Sequence, residues 1–192
     1  QNVYDISNPL QWSTGNPDLK QQISNMLSAR YTYTNSLSGS SFFANIFLQN
    51  MDNYISTATF RASQDSVQSD FPDVLRKGSQ LTKPVNLNGY WSIRSFLNYG
   101  LPVKFIKSTL NLNGGYSFSR LPGQVNQNKT VSHSGNYSLG AVLASNISEY
   151  VDFNLSYSAN FNSVKNQADP SANTHYFSSA TGVQANMLSK NG

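Results

Sequence analysis

The stretch Thr109–Ser119 reads TLNLNGGYSFS, and Val151–Asn162 reads VDFNLSYSANFN. In the first, Leu110, Leu112, Gly114, Tyr116 and Phe118 alternate with Thr109, Asn111, Asn113, Gly115, Ser117 and Ser119. In the second, Val151, Phe153, Leu155, Tyr157, Ala159 and Phe161 alternate with Asp152, Asn154, Ser156, Ser158, Asn160 and Asn162. Successive side chains of a strand point to opposite faces, so a period of two held this long specifies a β-strand with one apolar and one polar face. Asp152 apart, the polar face is neutral Asn, Ser, Thr and Gly.

The same alternation, bounded by turn-forming residues, predicts about seven long strands. The first is Ile23–Thr34, with Leu27, Ala29, Tyr31 and Tyr33 on one face, and the second is Ser41–Ile55, led by Phe42, Ala44, Ile46 and Leu48. Val85–Tyr99 follows, carrying Leu87, Trp91, Ile93, Leu97 and Tyr99, and then Thr109–Ser119. Ser134–Ile147 carries Tyr137, Leu139, Ala141 and Leu143; Val151–Asn162 and a weaker His175–Leu188 complete the set. The links Asn35–Ser40, Leu101–Lys107 and Ser148–Tyr150 are short, whereas Ser56–Pro84, Arg120–His133 and Ser163–Thr174 are long. Such alternation is the rhythm of an up-and-down membrane barrel, with tight turns at the periplasmic rim and long loops at the other.

Aromatic residues follow the same two rims. Tyr31, Tyr33, Tyr99, Phe42 and Phe153 fall near short turns, and Tyr116, Phe118, Tyr137, Phe161 and Phe177 fall towards the long links. Two belts of this kind match the interfacial girdles of membrane barrels, although strands favour aromatics in any fold.

Composition decides which face meets water. The chain has 192 residues, enough for one domain with a sizeable core. Charged residues make up 11%, against about 25% in ordinary soluble domains. Two readings of the polar face stay open. In a soluble all-β binding module or adhesin, with aromatics stacking on carbohydrate, that face is the exterior and should hold Lys and Glu. In an outer-membrane barrel it lines a hydrated lumen, and neutral Asn and Ser suffice. The charge deficit favours the second, an antiparallel meander forming part of a transmembrane barrel. Leu110, Leu112, Val151, Phe153 and Leu155 then face lipid. By parity Arg30 and Arg94 face the lumen with Asn111, Asn113, Asn154 and Asn160.

The net charge of +4 is scattered, with Arg76-Lys77 the densest pair, so no basic stripe follows a nucleic-acid backbone. There are no cysteines, which removes disulfide and thiolate chemistry. Nowhere do 18 apolar residues run together, so no transmembrane helix is expected. No secretory signal opens the chain, which is expected to be mature or an internal segment. No nucleophile elbow, His-Glu-x-x-His helix or phosphate loop occurs. The two histidines, His133 and His175, fall in expected loops and read as solvated. Asp65, Asp70 and Asp73 lie in the longest link without the spacing of a calcium loop. Asn-x-Ser/Thr triplets begin at Asn128, Asn136, Asn146 and Asn154, as expected by chance in a chain so rich in Asn and Ser. Gly89, Gly114, Gly115 and Gly140 lie within strands, where bends or bulges are expected. We therefore expect no catalytic residue, no cofactor and no metal.

One segment carries a resemblance. Asn8-Pro9-Leu10, then Gly15-Asn16-Pro17-Asp18-Leu19-Lys20, leads directly into an alternating strand. It resembles the GNP-x-L-K segment in the barrels of TonB-dependent receptors and related outer-membrane proteins of Bacteroidetes, where it lies in an extracellular connection before a descending strand. Asp52-Asn53-Tyr54-Ile55, a long loop and further hairpins extend the similarity. Asn-Pro pairs are also ordinary turn formers.

The resemblance implies energy-coupled import of a large nutrient, a metal chelate or glycan, across the outer membrane. It implies outer-membrane lipid, a plug domain, the remaining barrel strands of a parent chain and a TonB-type energy-coupling protein as partners. Arg30 and Arg94 would guide ligand or hold the plug, unless they simply pack within the wall. Departures accompany it. No plug or coupling segment is recognisable, no aromatic closes the sequence, and seven is an odd count where bacterial barrels have even ones. The expectation is a single barrel segment, 1–192, belonging to a larger barrel.

Overall fold

Long alternating segments become long strands. The computed structural model describes residues 4–8, 10–65, 76–145 and 151–187. Among these are β1 (Tyr4–Asn8), β2 (Gln11–Thr14), β3 (Ile23–Asn35), β4 (Ser40–Asp52), β5 (Tyr54–Arg61) and β6 (Gln80–Leu87). They are followed by β7 (Tyr90–Val103), β8 (Ser108–Val125), β9 (Asn128–Ser145), β10 (Val151–Asn166) and β11 (Thr174–Met187).

Seven of these form an antiparallel meander, β3-β4-β7-β8-β9-β10-β11, and they are the seven expected strands. Its registers are unbroken and carry the apolar pattern from strand to strand. One cross-strand row reads Leu27, Leu48, Ile93, Phe118, and the next reads Ala29, Ile46, Ser95, Tyr116, Tyr137, Phe161, Phe177. Further along lies Tyr33, Phe42, Tyr99, Leu112, Ala141, Tyr157. A slip of one residue in any strand would move its whole apolar set to the other face, so the pattern itself fixes register.

Several boundaries differ from expectation. The second strand ends at Asp52, not Ile55, because Asn53 takes a left-handed φ of 51° and redirects the chain into β5. The third is split by Asn88 and Gly89, whose φ of 99° suits glycine. Its first residues belong to β6, outside the meander. The long link Ser56–Pro84 thus contains most of β5 and the start of β6.

Arg120–His133 is not a loop. The two strands run on to a two-residue turn at Asn126 and Gln127, with φ of 46° and 68°, the primed geometry that matches strand twist. The strict short–long alternation of links therefore fails at this hairpin. Pro122 is tolerated because its carbonyl, and with it its nitrogen, faces the gap that precedes the start of β7, whose Trp91 pairs with Arg120; Ser56 Oγ donates to that carbonyl at 2.7 Å. The ends at Ile147 and Leu188, and the link Ser148–Tyr150, lie outside the described residues.

The four remaining strands form an extension in the order β1-β2-β6-β5, with β5 joining β8 in parallel at Ala58–Gln124 and Thr59–Val125. Trp12, Ala62 and Leu81 pack there with Phe60. Among the described residues the buried hydrophobics are Trp12, Ala62, Leu81 and Leu87. The meander buries no apolar core of its own among the described residues. Its apolar face is open, with Leu27 65%, Leu139 67% and Tyr157 48% exposed. A soluble domain of this size would bury that face, because leaving each such side chain in water forgoes about 1.5–3 kcal/mol. Among the described residues β3 and β11 each pair on one side only.

Candidate functional site

The apolar face has a membrane's dimensions. From Leu110 to Phe118, β8 advances about 27 Å at roughly 3.4 Å per residue. At a tilt near 40° this covers about 20 Å of the roughly 25 Å apolar band of a barrel. No Asp, Glu, Lys or Arg stands on that face across these rows among the described residues.

Aromatic contacts mark both margins. Near the short turns Phe42 lies 6.1 Å from Tyr31 and 6.4 Å from Tyr99. Towards the other rim Trp91 meets Phe118 at 5.0 Å, Tyr116 meets Tyr137 at 4.8 Å, and Tyr137 meets Phe161 at 6.3 Å.

Arg30, Arg94, Asn111, Asn113, Asn154 and Asn160 all occupy the opposite, polar face, as parity requires. The structure does not gather them into one site. Arg30 and Arg94 line an open groove of about 460 Å³ with Met26, Phe43, Asn45, Phe47 and Phe96. The Arg30 guanidinium carbon sits 5.7 Å from the centroid of the Phe43 ring, a cation–π distance. Asn45 Oδ1 is buried without a hydrogen-bond partner among the described residues, which leaves an acceptor facing the groove. The apolar members Met26, Phe43, Phe47 and Phe96 interrupt an otherwise polar face; the period-two reading missed them because it looked for one apolar face per strand.

The four asparagines are half-buried wall residues. Asn113 lies over Gly140, where a Cβ would strike it, and Asn111 lies beside Gly100. Gly115 and Gly182 similarly receive Ser138 and Ser156. These strand glycines make room for flat-lying polar neighbours; no bulge occurs at Gly114, Gly115 or Gly140, whose registers are continuous.

Outside the meander's rows, the long-link rim is held by side-chain amides. Asn86 Oδ1 accepts from Lys20 N at 2.7 Å, and Asn86 Nδ2 donates to Lys20 O at 3.0 Å and Asn53 O at 2.7 Å. Asn16 Nδ2 donates to Pro84 O at 2.9 Å, while its Oδ1 accepts from Asp18 N. Gly15–Lys20 is thereby clipped onto β6 just before β3 begins. Sequence periodicity could not find this clip, because Asn86 reads as one more polar alternating residue.

His133 and His175 stand in β9 and β11, not in loops. Each lies against a ring, His133 at 5.8 Å from Phe118 and His175 at 6.2 Å from Phe161. Asp65 accepts from Lys77 N at 2.6 Å; Asp70 and Asp73 lie outside the described residues. No metal-ligating cluster of three or more such side chains occurs among the described residues.

An apolar face uncharged across the rows that would cross the hydrocarbon, two aromatic margins and a polar opposite face define the wall of a transmembrane β-barrel. The chain matches the outer membrane protein beta-barrel family over residues 1–192 and belongs to it, which places the protein in the outer membrane. No curated protein and no solved structure gives a significant match.

Proposed function

We propose that this wall belongs to a TonB-dependent importer of a large nutrient, a metal chelate or glycan, of the kind found in Bacteroidetes. The observation that carries the reading is the seat of Gly15–Lys20. It lies at the long-link rim, clipped to Pro84 and Asn86, immediately before β3 runs towards the short turns. That is the position the resembling segment takes in such receptors. The groove of Arg30, Arg94 and Phe43 supports it further, as a lumen-side surface with cationic and aromatic contacts for a plug or a passing ligand. The wall makes and breaks no bonds, and the energy comes from the inner membrane through the coupling protein.

Uptake of labelled metal chelates and glycans by cells with and without the gene tests this. Gene-dependent uptake that stops when the inner-membrane proton gradient is collapsed is expected. Gene-dependent uptake that continues without the gradient would mark a passive pore and refute the proposal.

A further inference from the structure

We propose that the long-link end of the lipid-facing surface binds the phosphorylated headgroups of outer-leaflet lipid. The basis is a basic row immediately beyond the aromatic margin. Arg120 on β8 is the cross-strand partner of His133 on β9, and His133 is the partner of Lys165 on β10. All three stand on the apolar face by parity. Lys129 lies further along β9 on that face, and His175 on β11 partners Ser163, two residues before Lys165. Neighbouring strands lie about 4.8 Å apart, so the row Arg120, His133, Lys165 spans roughly 10 Å, the reach of one or two phosphate groups.

Three features select the ligand. First, no carboxylate stands on this face of β8–β11 among the described residues, so the row is not an internal ion-pair ladder. Asp52, on the same face of β4, is separated from it by β7 and accepts from Asn25. Second, the next row on this face holds Phe118, Gly135, Ser163 and His175, and the one below it Tyr116, Tyr137, Phe161 and Phe177, with His133 and His175 against the rings of Phe118 and Phe161. A ligand meeting both layers has an apolar body and an anionic head. Third, the overrunning strands β8 and β9 and the β5–β6 extension mark this rim as the extracellular one. Arg120 gives one N–H to Gly89 O, which fixes the guanidinium and leaves its other donors for phosphate. Lys129, Lys165 and His175 are exposed. The inference is independent of whether the barrel imports a nutrient.

The test uses the protein purified folded from outer membranes in mild detergent. Its affinity is measured for lipid A bearing two phosphates, for dephosphorylated lipid A and for inorganic phosphate. The bisphosphorylated lipid should bind best. Lys129→Gln with Lys165→Gln and His175→Gln should weaken it about tenfold or more, and Lys165→Gln alone about fivefold, as expected for the loss of one lysine charge at the surface. Lys104→Gln with Lys107→Gln, at the opposite rim, should leave it unchanged. Equal binding of the dephosphorylated lipid, equal competition by inorganic phosphate, or equal loss in the opposite-rim variant overturns the proposal. So does unchanged affinity in Lys165→Gln, which serves where the triple variant does not fold.

Discussion

Arg120 donates through Nη1 to the carbonyl of Gly89, tying the apolar side of β8 to the turn that opens β7. Gly89 holds a φ of 99°, and a Cβ there would run into the Arg120 guanidinium. Gly89→Ala therefore meets both backbone strain and displacement of the arginine, and should destabilise the folded barrel by about 1–3 kcal/mol. Arg120→Ala removes the same bond from the other side. Denaturant titration in bilayers, read by heat-modifiable gel mobility, should find the two losses less than additive in the double variant. Full additivity would mean the contact carries no energy.

Asn86 is the clip on Gly15–Lys20, with three hydrogen bonds to the backbone of Lys20 and Asn53. Asn86→Ala frees those groups to solvent at a cost of about 1–2 kcal/mol. Because the segment lies outside the membrane rows, the effect should be local. Trypsin should cut the folded variant faster after Lys20 while overall unfolding changes little. Asn86→Asp keeps the acceptor for Lys20 N, loses both donated bonds, and should fall between.

The meander was legible because alternation over 13 to 18 residues in β3, β4 and β7–β11 leaves no competing period. The extension was not. β5 and β6 are 8 residues each and β2 is 4, and what places them is non-local: Asn126 Oδ1 accepting from Arg61 N, and Ser56 Oγ donating to Pro122 O. Pro122 and Gly123 also masked the overrun of β8, since both oppose strand propensity and only the start of β7 short of the proline makes it harmless. Among the candidate residues, parity placed Arg30 and Arg94 on the correct face. It could not foresee that Phe43 and Phe47, on the intervening strand, would join them in a groove.

Asp169, in the link between β10 and β11, has its carboxyl held below the usual aspartate range. The hydroxyl of Ser171 is the main cause, with the backbone N–H groups of Ser171 and Ala172 and the nearby Arg61 guanidinium adding to it. A depressed folded-state value stabilises the link above the unfolded aspartate range, and the contribution is lost as pH falls through the folded value. The Ser171 and Ala172 amide signals should therefore titrate at a pH below that of an ordinary aspartate, and Asp169→Asn should abolish the titration. An unshifted midpoint would contradict the arrangement.

The orientation of the wall makes the sharpest prediction. Leu139 lies 67% exposed in the middle of the apolar face, in the cross-strand row of Leu97 and Gly114. Asn160 lies on β10 on the polar face, opposite Ser138. If the apolar face meets lipid, Leu139→Arg should cost about 2–4 kcal/mol of folding free energy in bilayers. Asn160→Arg adds the same charge to a hydrated lumen and should cost under about 1 kcal/mol, apart from any crowding by Ser138 and Ser178. Reversible folding into vesicles measures both. Equal costs would mean that both faces see water, and the reverse order would turn the wall inside out; either result would remove the physical basis for reading the neutral polar face as a lumen.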